Sequence, residues 1–435
     1  MLLNLITALY NSHNLRKNHL RGYAALEELQ EKKLKTLIEY SYCKVGYYKR
    51  LFDKVGIKPE DIKSVRDITK IPITIRKDLW ALPKKDITAK EVDLSRCANL
   101  RTSGSTGMPL DIFVSAREIQ SRGLFYRIMF SENGSKFREK LAVITSPQNF
   151  VIKTQLHRLG ILTGILQEKY ISLFDSIESQ LKIISEFKPE IIVGYASSLN
   201  NLAIEIKKRK IKGINPRIVF SSAELLSTRD RELIASVFES EIIDYYSCNE
   251  CGIIAWECKE HNGYHINSDN AIVEFIKEDG TQAKPGEEGE IAITSLNSYT
   301  MPFIRYKLGD IGILSDRQCP CGRTLPLMKV VAGRINDCII LPDGRRISPY
   351  VLMITMDKIS ELGSYQLIQE ERNKLKVNII QNSRITPETI ARIRKNYKEL
   401  LGTNIEIEPV VVDNISKGEA GKFKVIVSRI SANGN

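Results

Sequence analysis

The spacing of apolar positions changes along the chain and divides it. Residues 1 to about 95 are rich in Lys, Glu and Leu, with apolar positions at helical intervals. Stretches such as Glu27-Glu28-Leu29-Gln30-Glu31-Lys32-Lys33 read as solvated helix faces. The run from Asp67 to Thr74 interrupts this pattern, and Thr74 is placed to cap a helix through Arg76-Lys77-Asp78-Leu79-Trp80. From Val92 to about residue 332, short β-branched runs (141–145, 191–194, 217–221, 241–245) alternate with helix-like stretches such as 179–187 and 200–210. The alternation predicts an α/β domain with a mainly parallel sheet. Ligands of such sheets sit beyond the carboxyl ends of the strands.

The pattern changes again over 271–314. Two strands, 272–276 and 289–294, flank the turn Glu278-Asp279-Gly280 and predict a β hairpin or a small β-barrel-like part. A boundary falls at Gly333-Arg334. Beyond it come a hairpin around Pro342-Asp343-Gly344, a strand over 374–380, a helix over 387–401 and a strand over 405–412. The expected organisation is therefore a large N-terminal domain, residues 1–332, and a small α+β C-terminal domain, residues 333–435.

Composition narrows the classes. The 435 residues are 43% hydrophobic and 27% charged, ordinary for a soluble globular protein. No apolar run approaches the roughly 20 residues that span a bilayer. Met1 to Tyr10 is mildly apolar but interrupted by Asn4, with no small-residue cleavage site after it, so a cytoplasmic protein is expected. Eight cysteines in this length do not form a disulfide scaffold, and the thiols are expected to be reduced. The net charge of +12 is spread and mixed with acids, and no nucleic-acid-binding motif accompanies it. Such a surface suits an anionic substrate or a membrane surface, and charge alone does not choose between them. A homodimer, the commonest soluble oligomer, is the default assembly.

Thr102-Ser103-Gly104-Ser105-Thr106-Gly107 consists only of hydroxyl-bearing residues and glycine. Glycine lets the backbone curl close to an anion, and the hydroxyls add neutral donors that can follow phosphate oxygens. The common phosphate loop has Lys and then Ser or Thr after its second Gly; here Met108 and Pro109 follow Gly107, so the chain is expected to leave as a strand over 110–114.

Further motifs follow in order: Ser221-Ser222-Ala223-Glu224, Asp244-Tyr245-Tyr246-Ser247-Cys248-Asn249-Glu250, Tyr306-Lys307-Leu308-Gly309-Asp310, Gly333-Arg334-Ile335-Asn336-Asp337 and Gly421-Lys422. Together they resemble the ordered motifs of the adenylate-forming superfamily over roughly residues 70 to 425. Pro302-Phe303-Ile304-Arg305-Tyr306, Ala255-Trp256-Glu257-Cys258 and Cys319-Pro320-Cys321-Gly322-Arg323 resemble the phenylacetate-CoA-ligase-like branch, which includes capsule-cluster (CapK-type) proteins.

The resemblance implies that ATP, Mg²⁺ and a small carboxylic acid form an acyl or aryl adenylate, with coenzyme A as the acceptor. An amine, a sugar or a carrier in surface-polysaccharide assembly is the alternative acceptor. A non-catalytic nucleotide-binding homologue is a second alternative. The loop from Thr102 to Gly107 would hold phosphates and Glu250 the Mg²⁺. Tyr245 and Tyr246, with Ala223 and Glu224, would form the adenine wall, and Asp310 would accept the ribose hydroxyls. Arg334 would contact ribose and phosphate, and Lys422 would be the catalytic lysine of a mobile C-terminal domain. Tyr195 and Ser197 would face the acid. Two positions depart from the family pattern: Ser247 stands where Gly is usual, and Asn336 where the hinge usually has Asp or Lys.

Cys258, His261, Cys319 and Cys321 form two close pairs of soft or borderline ligands, with Cys251 and His265 as spare candidates. A Cys₃His set is a closed, structural Zn²⁺ site.

Overall fold

A computed structural model describes residues 17–101, 110–136, 138–147, 160, 166–332, 339–343, 346–347, 352–353, 355–356, 359, 361–381, 385–415 and 424–430. The first strands, β1 (Ala98–Arg101) and β2 (Asp111–Val114), pair antiparallel. The 102–109 loop between them lies outside the described residues.

The parallel half of the main sheet holds β3 (Leu141–Thr145), β4 (Glu168–Ser172), β5 (Ile191–Tyr195), β6 (Ile218–Ser222) and β7 (Glu241–Cys248). β5 and β6 are buried along their whole length, which explains unbroken runs such as Ile191-Ile192-Val193. The helices Ile177–Phe187, Ala196–Arg209 and Thr228–Phe238 lie between these strands in sequence. Ser176 and Ser227 cap the first and third by accepting backbone N–H bonds.

The strands β8 (Gly252–Glu257), β9 (Tyr264–Ile266), β10 (Ala271–Ile276), β11 (Glu288–Ser295), β12 (Tyr306–Ser315) and β13 (Leu327–Ala332) continue the same sheet, now antiparallel. The order is β10-β11-β12-β13-β9-β8-β7-β6-β5-β3-β4. The region expected as a hairpin or small barrel forms one end of the eleven-stranded sheet, with β10–β11 as its hairpin. Direction changes at β7, whose carboxyl end carries the Tyr245–Glu250 motif.

Nearer the C-terminus, β14 (Ile339–Ile340) and β15 (Arg346–Ile347) form the small hairpin. Strands β16 (Leu362–Glu371), β17 (Lys374–Gln381), β18 (Glu406–Val411) and β19 (Ile426–Ser428) make a second sheet, order β18-β17-β16-β19. The amphipathic helix Pro387–Leu401 buries Ile393, Tyr397 and Leu401 in a core that these strands share. Among the described residues, no helix is long and apolar enough to cross a membrane.

The N-terminal helices Tyr23–Lys44 and Gly46–Val55 close a core of Leu34, Leu37, Ile38 and Phe52 against Ile272, Leu296 and Ile304. Arg305 fixes this layer. Its buried guanidinium donates to both Glu274 oxygens at 2.8–3.1 Å and to the Ile71 carbonyl at 2.6 Å. Its own backbone is left-handed, φ 47°. The Thr74 N–H donates to the Arg305 carbonyl, and the Lys307 N–H to the Thr74 carbonyl, both at 3.0 Å. Thr74 is therefore a bridge to β12 rather than the helix cap. The helix Arg76–Trp80 starts after Ile75, whose N–H is taken by the Asp78 carboxylate.

A second buried charge cluster ties down the residues before these helices. His19 lies between Glu132, 2.5 Å from Nδ1, and Asp269, 3.5 Å from Nε2. Arg323 binds the other Glu132 oxygen, and Asn18 and Lys33 bind Asp269. Burial alone would lower the His19 pKa, but hydrogen bonds with Asp269 and Glu132 raise it to about 9. The folded value lies above the unfolded one, so this stabilisation is complete below about pH 6.5 and is lost as pH rises through about 9. The melting temperature is expected to fall by several degrees between about pH 7 and 9.5. His19→Gln should be less stable at neutral pH and flatter across that window; an unchanged slope would remove His19 as the titrating group.

Candidate nucleotide site and a buried thiol cluster

The site lies where the parallel half of the sheet ends. Beyond β6, Ala223 adopts a left-handed backbone, φ 67°. Glu224 follows, and its Oε2 accepts the Ser197 N–H at 2.8 Å. That carboxylate thus sits on the first turn of the helix Ala196–Arg209, where the helix dipole favours negative charge. Tyr195, the last residue of β5, is buried beside it in sequence.

On β7, Tyr245 is buried and meets Tyr126 edge-to-face, with ring centroids 5.9 Å apart. Burial raises both phenols. The Tyr246 hydroxyl donates to Asp310 Oδ2 at 2.5 Å. Burial, then the Asp310 charge, holds the Tyr246 phenol well above its usual range, so it remains a donor. Two residues 64 positions apart are brought together because β12 carries Asp310 just after Gly309, φ 85°.

The β7–β8 turn, Cys248-Asn249-Glu250-Cys251, presents Glu250, which is 3% exposed. Arg122, on the helix Ala116–Glu132, anchors the turn by donating to the Asn249 and Glu250 carbonyls at 2.8 and 3.0 Å. The Cys248 and Cys251 sulfurs lie 3.7 Å apart on either side. Arg76 Nη2 stands 3.7 Å from Glu250 Oε1, and Arg76 Nε donates to the Tyr306 hydroxyl at 3.4 Å. A buried carboxylate with hard oxygens suits Mg²⁺, which takes one or two carboxylates and completes its shell with phosphate oxygens and water. Tyr246 and Asp310 are thus in contact, and Arg76 lies within electrostatic reach of both Glu250 and Asp310. Thr102 to Gly107, Arg334 and Lys422 lie outside the described residues.

The thiol cluster corrects one expected ligand. Cys258, His265, Cys319 and Cys321 offer ligand atoms all within 4.8 Å of one another. His261 is elsewhere: Nε2 pairs with Glu241 at 2.7 Å, and Nδ1 faces Arg231 and Glu257 at 3.3 and 3.4 Å. The turn after β8 sends His261 outward, while β9 runs back antiparallel to β8 and sets His265 opposite Trp256. Cys258 and Cys319 sulfurs are 3.5 Å apart, and Cys321 Sγ is 3.4 Å from His265 Nε2. Sulfurs about 2.3 Å from one tetrahedral ion stand ~3.8 Å apart, so the spacing fits Zn²⁺. Burial lowers the His265 pKa to about 4, which keeps the imidazole in its neutral, metal-binding form.

The chain is similar to several known proteins. Phenylacetate-coenzyme A ligase of Escherichia coli is 26% identical over 92% of this chain and 94% of its own length. The Thermus thermophilus protein of that name is 24% identical over 92% and 96%. Protein CapK of Staphylococcus aureus is 22% identical over 94% and 91%. The family pattern of the CapK C-terminal domain matches residues 339–429. The chain is thus similar over nearly its whole length to phenylacetate-coenzyme A ligases and to CapK. The solved 2-hydroxyisobutyryl-CoA ligase in its post-adenylation state with 2-HIB-AMP shares the fold: it superposes with TM-score 0.81 at 17% identity, covering 95% of this chain and 91% of that one. The same ligase in its thioesterification state superposes with TM-score 0.64.

Nothing local in the sequence marks Arg76 or Arg122: the first stands among charged helix residues, the second between Ser121 and Gly123 without a motif. Ala223 carries a different signal. A left-handed Ala costs roughly 1 kcal/mol more than Gly there, less Gly's extra entropy in the unfolded chain. Ala223→Gly is expected to raise unfolding free energy by up to about 1 kcal/mol in urea titrations. A loss of stability would show that the methyl group's packing outweighs the strain.

Proposed function

We propose that the protein activates a carboxylic acid with ATP and Mg²⁺ as an acyl or aryl adenylate and then transfers the acyl group to coenzyme A. The observation that carries this reading is the Tyr246–Asp310 pair beside buried Glu250 at the carboxyl end of β7. In the first step a substrate carboxylate oxygen attacks the α-phosphorus of ATP, and the bond to pyrophosphate breaks. In the second, a thiol attacks the acyl carbon and AMP leaves. Charge gathers on the phosphates in the first step, and groups held in place beforehand stabilise it most.

In this reading Glu250 holds Mg²⁺ against the phosphates. Tyr245 and Tyr246 flank adenine, with Ala223 and Glu224 on the adjoining wall. Asp310 takes the ribose hydroxyls, with the Tyr246 hydroxyl fixing its carboxylate. The loop from Thr102 to Gly107 and Arg334 complete the phosphate contacts. Residues 1–332 and 333–435 act as two domains. Rotation of the second brings Lys422 to the reacting carboxylate and then removes it, in keeping with the two different superposition scores.

The CapK C-terminal match favours a second reading, in which the adenylate is the same and the acceptor is an amine, sugar or carrier of surface-polysaccharide assembly. ATP–pyrophosphate exchange over a panel of aryl, fatty, amino and sugar acids tests adenylation. Exchange with one acid, abolished by Lys422→Ala while ATP binding persists, is the expected result. Exchange with no acid despite ATP binding would overturn the enzyme reading in favour of a nucleotide-binding homologue. Thioester formation on adding coenzyme A decides the acceptor.

The thiol cluster holds a structural Zn²⁺ in this reading, joining the β8–β9 turn to the loop before β13. About one zinc per chain is expected in protein kept from chelators. His265→Ala should lose most of it, and His261→Ala should keep it. Zinc-free wild type would remove the metal from the account.

A further inference from the structure

The buried arginines of this protein differ in how fully their donors are used. A guanidinium carries five N–H donors in a fixed fork and loses water at each when buried. Arg305 places Nε and Nη2 on Glu274 and Nη1 on two backbone carbonyls. Arg231 places Nη2 on both Glu257 oxygens, at 2.7 and 2.8 Å, and Nη1 on the Ile242 carbonyl. Both are clamps in which each terminal nitrogen meets a protein acceptor.

Arg76 is not. Its side chain is 15% exposed, yet among the described residues its one hydrogen bond is the long contact from Nε to Tyr306. Nη1 is buried with no partner among those residues. Nη2 faces Glu250 at 3.7 Å, an ion pair without a hydrogen bond. Nothing forces this looseness from outside. The backbone two residues upstream is pinned to β12 through Thr74, and the turn bearing Glu250 is pinned by Arg122. Two fixed supports hold a cation and an anion near each other with donors left over.

We propose that Arg76 is a positioning residue. Its guanidinium balances the Glu250 carboxylate in the metal-free site, yields that carboxylate to an arriving divalent cation, and turns its spare N–H groups to the anionic groups that come with the cation. The inference rests on the nucleotide reading of the Glu250 site. It adds that the site exchanges one cation for another, so that Glu250 is never left buried without a counter-charge. An uncompensated buried carboxylate is strongly destabilising, which makes the exchange visible in stability as well as in binding.

The test needs no acid substrate. Thermal unfolding is measured for wild type, Arg76→Gln, Glu250→Gln and the double variant, in chelated buffer and with Mg²⁺ alone. Mg·ATP affinity is measured by calorimetry for wild type, Arg76→Gln and Arg76→Lys. Arg76→Gln should melt several degrees lower without metal, and Mg²⁺ alone should restore at least half of the loss while hardly moving wild type. Removing Glu250 as well should cancel most of the Arg76→Gln penalty, since the two act as a pair. Mg·ATP affinity should fall about tenfold in Arg76→Gln, the loss expected for one charge-assisted hydrogen bond, and recover largely in Arg76→Lys. Additive melting losses that Mg²⁺ does not touch would overturn the proposal and make Arg76 a packing residue. Wild type that binds no Mg·ATP would instead overturn the nucleotide reading, and the melting cycle would still report on the pair.

Discussion

A guanidinium taken out of water needs acceptors for its N–H groups, and Arg305 finds them in two separate parts of the chain. Glu274 comes from the hairpin end of the sheet, and Ile71 and Thr69 from the segment that precedes the site. The backbone around Arg305 then pairs with Thr74 on both sides. This one clamp sets the N-terminal layer against the antiparallel strands, and Arg76 reaches Glu250 only because of it. Bidentate geometry matters, because a point charge at position 305 would hold Glu274 without also reaching the carbonyls. The Glu118 carboxylate supports the same region from the other side. It caps the helix Ala116–Glu132 and also accepts the Tyr299 and Thr300 N–H groups just before the Arg305 motif.

The candidate site depends in turn on the change of direction at β7. Parallel strands deliver Ala223 and Glu224 beyond β6, and the turn into antiparallel β8 presents Glu250. β12 carries Asp310 within reach of Tyr246 on β7.

Elements with strong periodicity were legible from the sequence. β3, β5 and β6 and the helix Pro387–Leu401 fall within a residue or two of their apolar patterns, because burial on one or both faces dictates those residues. Tyr246 and Asp310 stood in separate ordered motifs, and the contact between them is made by the fold. The cysteines were visible as pairs, but the choice between His261 and His265 was not. Spacing along the chain favours His261, whereas the β8–β9 return, a tertiary fact, brings His265 to the thiols. Arg76 was hidden because a lone arginine in a charged helix has no pattern until its neighbours are known.

The N-terminal layer also has a history in time. Its anchors lie far downstream: Tyr48 bonds to Pro302 and Ile304, Asn18 to Asp269, and Ile71 to Arg305, at separations of 234 to 256 residues. A ribosome adding about 5–20 residues per second needs roughly 10–40 s to extend from the end of that layer to Arg305. For that interval, the apolar faces around Leu37 and Phe52 have no strand to rest on. This segment, made well before its partners, is thus among the last to dock, and its apolar faces stay uncovered for that interval.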